Sequence, residues 1–235
     1  MGMIRAVVFD WAGTTVDRGS LAPVRTIQRL FSKHGVNVSD EAARRDMGLP
    51  KREHLRRLLA TIDPSAGESV LDDYYAEFVP MQLEVLRDHL DVLPHVVDAV
   101  TELRRRDIRV GSTTGYTREM LDVVAARARE QGYVPDCAIV PEDAGGGRPH
   151  PYMMYVAAAR LARYPLSAFV KVGDTHADIE EGLNAGTWTV GVSETGSADR
   201  ETLEQAGAHF VIATLAELTP TLDEIEARLA RGMRP

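Results

Sequence analysis
The sequence contains a single cysteine, Cys137, so no internal disulfide can staple the chain. Cys137 follows Pro135-Asp136 and starts an apolar run, a setting that suits a small buried hydrophobe better than a nucleophile. A basic surplus is missing as well. The 27 Lys and Arg are outnumbered by 35 Asp and Glu, giving a net charge of −8 and a pI near 5.4. With no basic stripe to set against that total, a nucleic-acid partner is not expected. A local cluster of cations can still attract a small anion. No apolar run approaches the ~18 residues of a membrane span, so no membrane partner is expected. The opening Met1-Gly2-Met3-Ile4-Arg5 runs into a strand pattern without a leader, and Ala6 breaks the myristoylation pattern. A cytoplasmic protein is the expectation. Zinc is disfavoured too, because the seven histidines form no H-E-x-x-H and no second cysteine exists.

What is present is ordinary soluble-protein material: 235 residues, 44% hydrophobic and 26% charged. That length suits one large domain, or a core carrying a smaller one. Val7-Val8-Phe9-Asp10 reads as a strand that ends in a carboxylate, followed by Trp11-Ala12-Gly13-Thr14-Thr15-Val16-Asp17. From about residue 18 to 92 the patterns are helical: Leu21 to Gly35, a helix opening at Ser39 to Ala43, one beginning around Pro50 with Lys51 in its first turn, and Ser69 to His89. From Pro94 helix and strand alternate. Strands are expected at Ile108 to Thr114, Cys137 to Val140, Phe169 to Asp174, Trp188 to Val192 and Phe210 to Ile212, with helices between and after them. The expected fold is α/β, a doubly wound, Rossmann-like parallel sheet with an inserted all-helical cap. The core takes residues 1–17 and 93–235, and the cap takes 18–92.

In such a sheet the carboxyl ends of the strands share one edge, so the polar residues there should converge. They are Asp10; Ser112-Thr113-Thr114-Gly115 ahead of a helix N-terminus; Arg148 on a flexible loop after Gly145-Gly146-Gly147; and Asp174 with Asp178 four residues on. Singly, each has a plain explanation: a strand-end cap, a helix cap, a surface arginine, a dipole partner. The glycine triplet lacks the spacing of a nucleotide P-loop. In conjunction they describe a phosphoryl-transfer site. Asp10 and Asp174 would supply oxygen ligands to Mg²⁺.

These clusters resemble the motifs of the haloacid dehalogenase superfamily, whose aspartate nucleophile attacks phosphorus. Most phosphatases there carry a second Asp two residues after the nucleophile, and here that position is Ala12. The runs Phe9–Asp17, Gly111–Met120, Gly147-Arg148-Pro149 with Pro151, Val172–Thr175, and Met47-Gly48-Leu49 with Lys51 and His54 are similar to the phosphonoacetaldehyde hydrolases (phosphonatases), which cleave a C–P bond. That resemblance implies Asp10 as nucleophile and Lys51 as the amine forming an imine with the aldehyde. It implies Thr114, Gly115 and Arg148 around the phosphoryl group, and His54 and Met47 beside Lys51. It also implies an Ala12 carbonyl on the metal, Asp178 in support of the metal or its waters, a small phosphonate substrate and a homodimer. Ser20 stands where family members often have cysteine, Pro50 immediately precedes the lysine, and the region after Val192 looks short. Two other readings stay open: a phosphatase of small phosphate esters, in which Lys51 is incidental, and a silent binding protein on the same fold.

Overall fold
A computed structural model describes residues 3–235, so the opening Met1-Gly2 lies outside the described residues. Six strands form one all-parallel sheet: β1 (Ala6–Phe9), β2 (Arg109–Thr113), β3 (Cys137–Ile139), β4 (Phe169–Gly173), β5 (Trp188–Val192) and β6 (Phe210–Ile212), in the spatial order β3-β2-β1-β4-β5-β6. The central strands are buried on both faces, which is why β1 reads Ala-Val-Val-Phe without alternation. Ala6 and Val8 face one way, onto Met153, Met154 and Ala157 of α8 (Tyr152–Leu161). Val7 and Phe9 face the other way, into a larger core that includes α5 (Val96–Arg105), α6 (Arg118–Glu130) and α11 (Leu218–Ala230).

Between β1 and α5 the chain is helical: α1 (Leu21–Lys33), α2 (Asp40–Arg44), α3 (Lys51–Ile62) and α4 (Glu68–Leu86). α1 lays Val24, Ile27, Leu30 and Phe31 on one face, and Phe31 meets Tyr74 of α4 at 5.0 Å between ring centroids. Ser39 caps α2, accepting from the Ala42 N–H. Pro50 precedes α3 directly, so Lys51 is its first residue. The two passages between these helices and the sheet run side by side, with the Leu93 N–H donating to the Thr15 carbonyl at 2.9 Å. Among the described residues no helix is long and apolar enough to cross a membrane.

The sequence pattern and the structure part in three places. α4 ends at Leu86 rather than His89, whose imidazole turns back to within 3.3 Å of Asp17 Oδ1. Two short helices have no counterpart in the pattern, α7 (Pro141–Ala144) and α10 (Arg200–Gln205). The first buries no residue and the second only Leu203, so neither writes an apolar stripe into the sequence. Cys137 is half-buried at the sheet edge rather than enclosed, and burial lifts its thiol to about 11. α9 (His176–Asn184) follows β4 and carries the remaining acidic side chains of interest.

Phe31 is fully buried between α1 and α4. Replacing it with alanine should cost about 3–5 kcal/mol, measured by urea unfolding.

Candidate active site
The sheet reverses its direction of growth between β1 and β4, the place where open parallel sheets bind ligands beyond their carboxyl ends. Phe9 lies beside Val172, which brings Asp10 after β1 and Asp174 after β4 to the same level. The loop after Asp10 winds tightly. The N–H groups of Thr14, Thr15 and Val16 all point to the Trp11 carbonyl, and the Thr15 hydroxyl donates to the Asp10 carbonyl. Gly13 permits the winding: its φ is +81°, and a Cβ there would sit 2.2 Å from Asp174 Oδ2. Asp174 is held by the Thr14 hydroxyl at 2.8 Å and the Ser197 N–H at 2.7 Å.

Arg148 is the cationic centre. The sequence placed it on a flexible loop, but the structure buries it at 2% exposure and holds every nitrogen of its guanidinium. One terminal nitrogen donates to Asp10 Oδ1 at 2.6 Å and to the Thr113 carbonyl at 2.7 Å, and lies 3.0 Å from Asp178 Oδ1. The other reaches the Gly48 carbonyl at 3.3 Å, and Nε reaches Glu181 Oε2 at 3.1 Å. Lys171 Nζ lies 2.8 Å from Asp178 Oδ1 and 3.2 Å from Glu181 Oε2. Burial alone would lift Asp178, yet Arg148 and Lys171 hold it below the usual carboxylate range. Asp10 is raised by burial, against the pull of Arg148. Asp174 is raised well above the usual range by burial and by the charges of Asp10 and Asp178.

Asp10, Asp174 and Asp178 each offer an oxygen within 4.8 Å of the others, a buried acidic cluster that can hold a metal ion. The fit is chemically sound. All the donors are hard oxygens, and Asp10 and Asp174 are the two carboxylates that burial leaves short of positive charge. Asp178 already has two cations beside it, which suits it to support rather than to direct ligation.

Opposite Asp10, α3 closes a narrow cleft. Asp10, Ala12, Met47, Lys51, Thr114 and Gly115 all line it, and Arg148 is part of its wall. The Lys51 ammonium is 5.3 Å from the centroid of the Tyr116 ring. Burial lowers its pKa to about 8, with Arg148 acting in the same direction and Asp10 against it. Thr114 Oγ1 accepts from the Tyr116 N–H. Gly115 has a steric reason to be glycine, because a Cβ would lie 2.4 Å from the Leu49 carbonyl oxygen where α3's leading loop crosses the core. His54 is the exception among the expected residues. It is buried on α3 but does not line the cleft, and burial with Lys51 nearby drives it to about 3, so its ring is neutral. Sequence reasoning missed Lys171 and Glu181. A lysine inside the apolar run Phe169-Val170-Lys171-Val172 was the available signal for the first. Glu181, next to Glu180 on a helix, carries no comparable signal.

The family model for haloacid dehalogenase-like hydrolases matches residues 4–186. A phosphonoacetaldehyde hydrolase of Paraburkholderia phytofirmans is 39% identical, with 100% of both chains covered. The chain belongs to the phosphonoacetaldehyde hydrolase family of haloacid dehalogenase-like hydrolases. A phosphonoacetaldehyde hydrolase of Bacillus cereus is 40% identical over 95% of this chain and 97% of its own. A bifunctional phosphonoacetaldehyde hydrolase/aminoethylphosphonate transaminase of Clostridioides difficile is 41% identical, and the chain spans 40% of that relative's length. Among solved structures, a phosphonoacetaldehyde hydrolase-like protein from Oleispira antarctica superposes with a TM-score of 0.94 at 35% identity, covering 100% of this chain and 96% of that one. The alignment to the Paraburkholderia relative extends over 267 positions against 235 residues here, so that relative carries segments this chain lacks.

A divalent cation added to the protein should raise its melting temperature by mass action. In Asp174→Asn that rise should disappear, as read by calorimetry with and without chelator.

Proposed function
We propose that the protein hydrolyses the C–P bond of phosphonoacetaldehyde to acetaldehyde and phosphate. The observation that carries this reading is the pairing, across one closed cleft, of Asp10 and a buried Lys51. Breaking a C–P bond leaves an electron pair on carbon, and a bare carbanion is a very poor leaving group. An amine that condenses with the neighbouring aldehyde, releasing water, provides a protonated imine as the electron sink. Asp10 then bonds to phosphorus as the C–P bond breaks, and the pair moves into the carbon chain to give an enamine. Protonation at carbon and hydrolysis of the imine release acetaldehyde and restore the Lys51 amine. Water hydrolyses the aspartyl-phosphate to release phosphate.

Each residue of the cleft has work in this scheme. Asp10 Oδ1 is taken by Arg148, while Oδ2 accepts no hydrogen bond among the described residues and is the oxygen available for attack. Arg148, Thr114 and Gly115 stabilise negative charge on the transferring group. Ala12 replaces the acid that would protonate an alkoxide, and a carbon leaving group drained through an imine has no need of one. Mg²⁺ would be held by Asp10, Asp174 and the Ala12 carbonyl, with Asp178 in support. When bound it neutralises charge between an anionic nucleophile and an anionic substrate. Residues 18–92 serve as the cap that carries Lys51, and Met47 packs beside that lysine.

The decisive experiment is trapping. Borohydride added with phosphonoacetaldehyde should inactivate the enzyme and leave a reduced two-carbon adduct on Lys51. The chain has only three lysines, so peptide mass spectrometry assigns the site without ambiguity. Lys51→Arg should fold normally and release no acetaldehyde. A variant with full activity, or an inactivated enzyme lacking the adduct, would leave the phosphate-ester reading in its place.

The pH dependence has a definite sign. The lysine must be unprotonated to attack the aldehyde, so with its pKa near 8 the rate of borohydride inactivation should rise about tenfold per pH unit below that value and level off above it.

A further inference from the structure
The proposed chemistry leaves one buried lysine without a task. Lys171 sits in the middle of β4 with its side chain fully enclosed, in a strand that is otherwise apolar residues and glycine. An ammonium is costly to bury unless partners surround it, and here its three N–H bonds have three oxygens to meet. These are Asp178 Oδ1 at 2.8 Å, Glu181 Oε2 at 3.2 Å and Thr113 Oγ1 at 2.9 Å. Both carboxylates also touch Arg148, Asp178 at 3.0 Å and Glu181 at 3.1 Å. The four side chains therefore close a ring of alternating charge, with Lys171 opposite Arg148.

Thr113 fills the middle of that ring. Its hydroxyl donates to Glu181 at 2.8 Å and accepts from Lys171 at 2.9 Å and from Arg148 at 3.1 Å, which uses one donor and both lone pairs. Such saturation leaves little freedom for any member to rotate. Lys171, Glu181 and Thr113 do not line the cleft, so they touch no substrate. Their influence reaches it through Arg148. A guanidinium gripped only at its tip could pivot about its long side chain, whereas Glu181 fixes Nε from behind and so sets the plane of the fork.

We infer that Lys171 and Glu181 are positioning residues that fix the orientation of the Arg148 guanidinium against Asp10. This rests on the reading of Asp10 as the group that bonds to phosphorus. Lysine suits the post because a compact three-donor charge fits between two carboxylates and a hydroxyl.

The test uses Glu181→Gln, Lys171→Met and the double variant, each assayed at a temperature where circular dichroism shows it folded. Glu181→Gln and the double variant should lose on the order of tenfold to a hundredfold in kcat, with KM little changed. Orthovanadate, which mimics the five-coordinate phosphoryl group, should bind more weakly by a similar factor. The double variant removes one charge of each sign, so its Tm should recover relative to Lys171→Met while kcat stays low. A kcat that returns together with Tm, or Glu181→Gln with wild-type kcat and vanadate affinity, would overturn the inference. Failure of the wild-type enzyme to release acetaldehyde would instead sink the proposed reaction, and the ring would then be judged by vanadate affinity alone.

Discussion

Asp10, Asp174, Asp178 and Glu181 are buried around one arginine, and the rest of the site is an answer to that concentration of negative charge. Coulomb repulsion between carboxylates in a low-dielectric interior is strong enough to unfold or neutralise them unless cations are supplied. The chain supplies two from its own residues. Arg148 and Lys171 are shared among Asp10, Asp178 and Glu181, so two cations face four carboxylates, and Asp174 is the one that pairs with neither. Where the two internal cations sit thus makes the carboxylates of the acidic cluster electrostatically unequal.

The fold makes this concentration possible. Parallel strands with a reversal between β1 and β4 bring the ends of segments far apart in sequence to one level, and short loops wound on Trp11 and Gly13 press them close. The helices inserted after β1 then lay a lysine over the same spot. Two hydrogen-bonded passages tie that helical block to the sheet, so its placement is set close to the site rather than at a distant hinge.

Much of this was legible in the sequence, and the gaps have physical causes. Strand β1 and its terminal aspartate stood out because an apolar run broke abruptly at a carboxylate. Lys51 was found through the motif around it, since its neighbours Arg52, Glu53, Arg56 and Arg57 otherwise make a solvated face. Arg148 was located but its setting was not: three preceding glycines signal flexibility, while the contacts that immobilise it come from residues 30 or more positions away. Lys171 and Glu181 escaped because their partners, Asp178, Arg148, Thr113 and each other, come together only in the folded chain, and a buried ion pair writes no periodic signal. His54 shows the converse, a residue whose helical spacing from Lys51 put it on the right face while packing kept it out of the cleft.

The hydrogen bond from Arg148 to the Gly48 carbonyl joins the sheet's arginine to the loop that leads into α3. The same loop presses its Leu49 carbonyl into the space that Gly115 leaves vacant. Both contacts sit within three residues of Lys51, so any displacement of that loop breaks them at once and couples the seating of Lys51 to that of Arg148.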